Sequence, residues 1–275
     1  MRFARSMLAA AHSRVLQIEA LALPRACLGC ERPLPEAGRH GGCCDLCRHR
    51  LRAIAPPVCV RCGQPVDRWS LQLEADHAAR RGGRGAPRGG RGGAGPAHCA
   101  FCREWPVELA WAISGTWLDE GPARNLVHAL KYGGWRLAAG PMADCIRAAA
   151  GARLQRLDAL VPVPLGRTRQ RERGHNQAAL LAHALGAAVG VPVLDGALRR
   201  TRDTRTQTRL SPADRRRNVE GAFAAAGQAL TGLTVALVDD VLTTGATLGS
   251  ATTALARQEP AVIGAVTFAR ALVPG

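Results

Sequence analysis

The sequence predicts an α/β fold, a parallel sheet flanked by helices, preceded by a cysteine-rich double zinc-ribbon module. Three observations predict it. Apolar runs without helical period, such as Val235–Val238 and Ala261–Phe268, read as strands buried on both faces. Helical stretches alternate with these runs, the connection pattern of a parallel sheet with right-handed crossovers. Eight of the ten cysteines form four Cys-x-x-Cys pairs, all in the first 102 residues.

Bulk properties narrow the partner class. Within 275 residues, Lys+Arg number 37 against 21 Asp+Glu, a formal net charge of +16. Nearly all the cations are arginine, the side chain suited to planar, bidentate phosphate recognition. A GC-rich genome accounts for Arg in place of Lys but not for the surplus, so polyphosphate or nucleic acid is the expected partner class. The apolar runs are too short for a transmembrane helix and no secretory signal is visible, which predicts a cytoplasmic protein that is not an integral membrane protein. In a reducing compartment the paired cysteines favour metal over disulfides.

Taken in order, residues 1–23 place Met7, Leu8, Val15, Ile18 and Leu21 between polar positions, an amphipathic helix ending before Pro24. Then come Cys27-x-x-Cys30, Cys44-x-x-Cys47, Cys59-x-x-Cys62 and Cys99-x-x-Cys102. A Cys-x-x-Cys turn puts two sulfurs on one side of a tight loop, and two such turns make a tetrahedral S₄ shell for Zn²⁺. The simplest pairing joins the first turn with the second and the third with the fourth. A redox role fits a single pair but not four. Cys43 is a spare beside Cys44, and Cys145 reads as a buried apolar residue on a helix. Residues 79–95 hold five Arg among glycines and no large apolar side chain, a disordered insertion that either meets nucleic acid or is simply tolerated.

From about Trp105 the composition turns globular. Ala112–Leu118 predicts a strand, Pro122–Leu130 a helix, and Trp135 to about Ala150 a second helix. Asp158–Pro164 reads as the next buried strand. Its expected loop, Leu165–Gln177, carries Arg167, Arg169, Arg171 and Arg173 at alternate positions before Gly174 and the helix Ala178–Leu185, a pyrophosphate-binding arrangement. Val191–Leu194 and Leu198 are short strand candidates. Residues 199–218 hold eight Arg, beginning with Arg199 and Arg200 and including Gln207, with almost nothing apolar. This predicts either a mobile loop closing over phosphate or a surface that docks a polyanion.

The chemistry concentrates at Val235–Leu248. Asp239 and Asp240 follow the apolar run, at the strand end where open α/β sheets bind ligands. Thr243, Thr244, Gly245, Ala246 and Thr247 form a loop ahead of the alanine-rich helical run Ala251–Arg257. Helix N-termini offer free N–H groups and a positive dipole end to a phosphate, while hydroxyls add donors and a glycine admits close approach. The acids, unable to touch that phosphate, can accept hydrogen bonds from sugar hydroxyls beside it. Together they suit a ribose 5-phosphate.

This segment resembles the phosphoribosyl-pyrophosphate (PRPP) motif of the type I phosphoribosyltransferases. Most of the chain, moreover, resembles the ComF family of competence-associated proteins with that fold. The resemblance rests on the Cys-x-x-Cys turns, Leu130-Lys131-Tyr132-Gly133, Val161-Pro-Val-Pro164 and Arg173-Gly174-x-Asn176-Gln177. It continues through Gln207, Arg215-Arg216-Arg217-Asn218-Val219-x-Gly221-x-Phe223 and the PRPP motif. His175 stands where the family pattern has an aromatic residue, usually Phe. The implied organisation is an N-terminal helix over 1–26, a double zinc ribbon over 27–104 with an insertion at about 68–98, and a phosphoribosyltransferase-like domain over 105–275.

The resemblance implies PRPP with Mg²⁺, and a role in DNA uptake or DNA utilisation. It also implies single-stranded DNA and uptake-machinery proteins as partners, at the cytoplasmic side of the inner membrane. Two functions follow from the residues. In one, an enzyme transfers a pentosyl group, with Asp239 and Asp240 at the ribose, the threonine loop at the 5-phosphate and Arg167, Arg171 and Arg173 at the pyrophosphate. In the other, a non-catalytic zinc-ribbon protein holds single-stranded DNA and keeps PRPP as a regulatory or vestigial ligand.

Overall fold

The computed structural model describes residues 26–34, 42–66, 99–203, 212–227 and 229–271. The expected N-terminal helix, the Gly/Arg-rich insertion and Gln207 lie outside the described residues. A short helix α1, Asp45–Arg50, sits in the cysteine-rich part. Then follow β1 (Leu109–Leu118), α2 (Pro122–Lys131), α3 (Ala139–Ala150), β2 (Ala159–Pro162), α4 (Arg167–Arg173) and α5 (Gln177–Val189). A small hairpin-like pair, β3 (Leu198–Arg200) and β4 (Phe223–Ala225), flanks α6 (Pro212–Val219). The chain then runs through β5 (Thr234–Leu242), α7 (Ala246–Leu255) and β6 (Val262–Ala271).

Four strands form one parallel sheet in the order β1-β6-β5-β2. Val235, Ala236, Leu237 and Val238 of β5 are wholly buried, as a strand covered on both faces must be. On one face Leu126 and Leu130 of α2, Met142 and Ile146 of α3, and Leu181 and Leu185 of α5 pack with Ala236, Val238 and Phe268. On the other, Leu248, Ala251 and Leu255 of α7 pack with Leu237 and Ala265. The cysteine-rich part joins both layers: Cys27 and Cys47 belong to the first, Cys59, Cys62 and Cys102 to the second. It also covers the outer edge of β1, where Ala112 N–H donates to Arg61 O at 2.7 Å and Trp117 N–H to Arg52 O at 3.2 Å. An exposed strand edge is thereby paired.

Three expectations are corrected. Asp239 and Asp240 lie inside β5 rather than after it, because β6 goes on pairing with β5 as far as Leu242↔Arg270. Residues 167–173 form a helix rather than a loop: Arg, Gln and Glu are good helix formers, and Gly174, at φ 72°, ends it. The last helix starts at Ala246 and not near Ala251, so Ala246 and Thr247 sit in its first turn. No helix among the described residues is long and apolar enough to cross a membrane.

Candidate functional site

The sheet is stepped, and the step makes the site. β2 pairs with β5 only to Pro162↔Val238, so among the described residues no strand flanks β5 on that side from Asp239 onward. A cleft of about 730 Å³ opens there, within the range of small-molecule sites. Its floor is the acid pair. Asp240 N–H donates to Asp239 Oδ1 at 2.8 Å, and Lys131 Nζ, from the end of α2, forms an ion pair with Asp240 Oδ2. Burial pushes the Asp239 carboxyl well above its usual range, and the charge of Asp240 beside it pushes the same way. Burial acts most strongly on Asp240 too, but the Lys131 ammonium, the hydrogen bond with Asp239 and the Arg173 charge together outweigh it and hold that carboxyl below its ordinary value. The pair thus keeps one firm negative charge at Asp240. His175, buried in the aromatic position, donates from Nε2 to Leu130 O at 2.7 Å and steadies the backbone just before Lys131.

The threonine loop forms one wall. Gly245 caps α7 at φ 79°, a left-handed conformation, and a methyl group there would overlap the ring of Trp105. Trp105 Nε1 donates to Thr244 O at 3.2 Å, and Ala246 N–H donates to Thr244 Oγ1 at 3.4 Å. Thr243 and Thr247 line the cleft, while Thr244, Gly245 and Ala246 build the turn behind them.

The opposite wall is cationic. In an extended loop, alternate arginines share a side; in a helix, residues four apart do. Arg169 and Arg173 therefore line the cleft together, whereas Arg167 and Arg171 are exposed on the far side of α4. Arg173 stacks 4.9 Å from the Tyr132 ring and donates from Nη1 to Gln177 Oε1 at 3.1 Å. Arg200 of β3 completes the wall, 5.1 Å over Phe223, while Arg199 beside it is exposed. Gly174 caps α4 outside the cleft. Asp203 Oδ2 accepts from Thr168 N–H at 3.2 Å and Oγ1 at 2.6 Å, tying the segment after β3 to the start of α4. That hydrogen bonding holds the exposed Asp203 carboxyl below its usual value.

Sequence reasoning places Arg169 in the anion-binding run with its neighbours but assigns no individual role to Lys131, Tyr132 or Gln177. One signal for Lys131 is present: it is the chain's single lysine among 37 Lys+Arg.

The cysteines gather as their spacing predicts, in one group of Cys27, Cys30, Cys44 and Cys47 and another of Cys59, Cys62, Cys99 and Cys102. Within each group the sulfurs all lie within 4.8 Å of one another. A tetrahedron with Zn–S bonds of about 2.3 Å has edges of about 3.8 Å. Sγ–Sγ distances of 3.8 Å for Cys30–Cys44, 3.7 Å for Cys99–Cys102 and 3.9 Å for Cys59–Cys102 match it. Burial raises the Cys59 thiol, but N–H groups of Cys62, Cys99 and Arg61 outweigh that and bring it down to about 7. Cys27 is lowered to about 6 by the same balance, burial against donors from Cys44 and Gly29. Both groups fit a structural zinc. Cys43 is buried outside the sulfur tetrahedron, its thiol pushed up to about 12 by burial.

Known proteins share these features. A family model described as a phosphoribosyl transferase domain matches residues 172–273, and one described as a double zinc ribbon domain matches 18–79. The second match ends before the Cys99–Cys102 turn, which the structure adds. The sheet, the helices on both its faces and the two cysteine groups define a type I phosphoribosyltransferase fold carrying an N-terminal double zinc ribbon. "Competence protein F" of Haemophilus influenzae is 31% identical over 230 residues, 81% of this chain and 86% of that protein. "DNA utilization protein YhgH" of Salmonella typhimurium is 29% identical over 249 residues, 88% of this chain and 96% of that protein. The chain belongs to the ComF family. An orotate phosphoribosyltransferase from Aeropyrum pernix superposes at a TM-score of only 0.33 with 20% identity, covering 55% of this chain and 64% of that one.

Proposed function

We propose that the cleft binds PRPP with Mg²⁺ and that the protein acts in DNA uptake or in the use of DNA as a nutrient. One observation carries the ligand: an acid pair on the floor, a threonine turn opening a helix and an arginine wall surround a single cleft. In this reading Asp239 and Asp240 accept the ribose hydroxyls. Thr243 and Thr247, with the N–H groups of Gly245 and Ala246, hold the 5-phosphate. Arg173, with Arg169 and Arg200, faces the pyrophosphate; Arg167, Arg171 and Arg199, exposed outside the cleft, add only to the positive field around it, and Gly174 ends α4. Gln207, outside the described residues, is expected to add to the pyrophosphate contacts. Mg²⁺, a hard cation held mainly by water and the ligand's own oxygens, neutralises pyrophosphate charge.

Pentosyl transfer is the chemistry such a site supports. An acceptor bonds to ribose C1 as the C1–O bond breaks, and pyrophosphate leaves with the electron pair. The arginine wall stabilises that departing charge.

The cellular half rests on relatives named for competence and DNA utilisation. The charge of +16 suits single-stranded DNA, and with five Trp, four Phe and one Tyr, contacts to the DNA backbone dominate over stacking. The setting is the cytoplasmic side of the inner membrane, beside uptake-machinery proteins.

Calorimetry with PRPP and Mg²⁺ tests the ligand. The Asp239→Asn/Asp240→Asn double variant should bind roughly 10–100-fold more weakly, the worth of hydrogen bonds to charged groups. Unchanged affinity sinks the assignment. Pyrophosphate release in the presence of candidate acceptors, DNA included, tests the chemistry.

A further inference from the structure

The two buried arginines among the described residues flank the second cysteine group. Arg270, at the end of β6, is fully buried; it donates from Nε to Gln64 Oε1 at 2.9 Å and from Nη1 to Cys62 O at 2.7 Å, and stacks 4.4 Å from the Phe101 ring. Its Nη2 is buried with no hydrogen-bond partner among the described residues. Arg61, 5% exposed, lies between Cys59 and Cys62 and donates only to main-chain carbonyls, those of Cys102, Trp105, Pro106 and Leu109. Neither meets a carboxylate among the described residues. A buried guanidinium without a counter-charge is costly. Four thiolates around a divalent ion leave a doubly negative group, and two arginines balance it.

The segment that Arg61 grips leads straight to the cleft. Trp105 packs on Gly245 and bonds Thr244 O; a Cβ on Gly249, one turn further along α7, would lie 3.2 Å from Pro106 Cδ. Arg270 is also the register partner of Leu242, the residue before Thr243. The threonine turn is therefore fastened on two sides to the second cysteine group. Among the described residues the first group shows no such link: it meets α2 and α3 through Asn125 Nδ2, which donates to Gly29 O at 2.9 Å, and through Arg48 with Asp144.

We infer that zinc in the second cysteine group is part of the ligand site: Arg61 and Arg270 neutralise it, Trp105 transmits its presence to the Thr243–Thr247 turn, and the first zinc has no comparable effect. Trp105, Arg61 and Arg270 are positioning residues in this arrangement. Its consequence for PRPP rests on the function proposed above; its consequence for the turn does not.

The test removes zinc stepwise from the full-length wild-type protein with a chelator. Amide hydrogen exchange is followed in peptides from each cysteine group and from residues 243–248. Exchange at 243–248 should rise at least about tenfold in step with peptides from the second group, and stay within about twofold while only the first has opened. Tracking the first group, or neither, overturns the inference.

A second arm uses Trp105→Leu, which leaves all eight cysteines and both arginines in place. It should keep its zinc yet show the same faster exchange at 243–248, with Trp105→Phe restoring part of the protection through its ring. Trp105→Leu with wild-type exchange in that turn also overturns the inference. PRPP titrations of the same samples separate the two proposals. If the wild type does not bind PRPP, the functional reading fails while the exchange result still decides this one.

Discussion

The two cysteine groups use the same ligands at similar spacing and yet sit in different electrical surroundings. The first has Cys30 and Cys44 partly open to water; Gly29 and Cys44 N–H donate to Cys27 Sγ at 3.3 Å each and Cys47 N–H to Cys44 Sγ at 3.4 Å, as backbone N–H groups also do to Cys59 in the second. The second leaves only Cys99 partly open and has buried arginines beside it. Where water reaches a metal–thiolate group, solvent and amide dipoles suffice to balance its charge. Where burial excludes water, fixed cations must do so, and they bind the group rigidly to whatever they also touch. In this fold that neighbour is the ligand end of the sheet.

The largest expected difference lies in the arginines. Arg61→Met in the zinc-loaded protein should lower unfolding stability by about 3–5 kcal/mol, the cost of breaking a buried charge pair. The four carbonyls it serves would lose their donor as well. In zinc-free protein, where no thiolate–metal charge needs balancing, the loss should be clearly smaller. Urea unfolding with and without excess zinc reads both values. Equal costs in the two states would reduce Arg61 to a carbonyl clamp and remove the electrostatic half of the contrast.

A smaller effect separates two glycines with nearly the same backbone. Gly245 and Gly42 have φ of 79° and 78°. In the first cysteine region a Cβ on Gly42 would come within 3.0 Å of the flexible end of Leu28 and in ordinary contact, 3.6 Å, with Leu137 Cβ, whereas at Gly245 it would enter the Trp105 ring. Gly42→Ala should cost about 1–2 kcal/mol for the left-handed conformation alone. Gly245→Ala should cost more, toward about 3 kcal/mol, and should also weaken PRPP binding. Equal costs would mean that Trp105 yields readily, which contradicts its role as a fixed contact.

Much of this layout is legible in the amino-acid order, for reasons that differ by residue. Val235–Val238 announces a buried strand because four adjacent apolar residues have no other stable place. The cysteines pair as expected because Cys-x-x-Cys turns allow few arrangements. The arginines of α4 mislead because an alternating Arg pattern looks extended, while helix formation sends Arg169 and Arg173 one way and Arg167 and Arg171 the other. The partner of Asp240 is hidden because the ion pair joins elements far apart in sequence, although a single lysine in an arginine-rich chain marks it. Nothing local distinguishes Arg61 and Arg270 from the other arginines. Their burial follows from where β6 ends and where the third cysteine turn packs, which are tertiary facts.

The smallest effect belongs to Arg48, which joins the first cysteine group to α3. Arg48 Nη1 meets Asp144 Oδ2 at 2.9 Å, with side-chain exposures of 28% and 47%, and Nε donates to Cys43 O at 3.3 Å. Water screens that pair, and two long side chains lose freedom to make it. Arg48→Met should therefore cost less than about 1 kcal/mol, and the difference should shrink further at high salt. Zinc content and exchange at 243–248 should match the wild type. A loss as large as that of Arg61→Met, or one that disappears when zinc is removed, would show that the first group also depends on a fixed cation. The two groups would then differ only in position and not in how their charge is held.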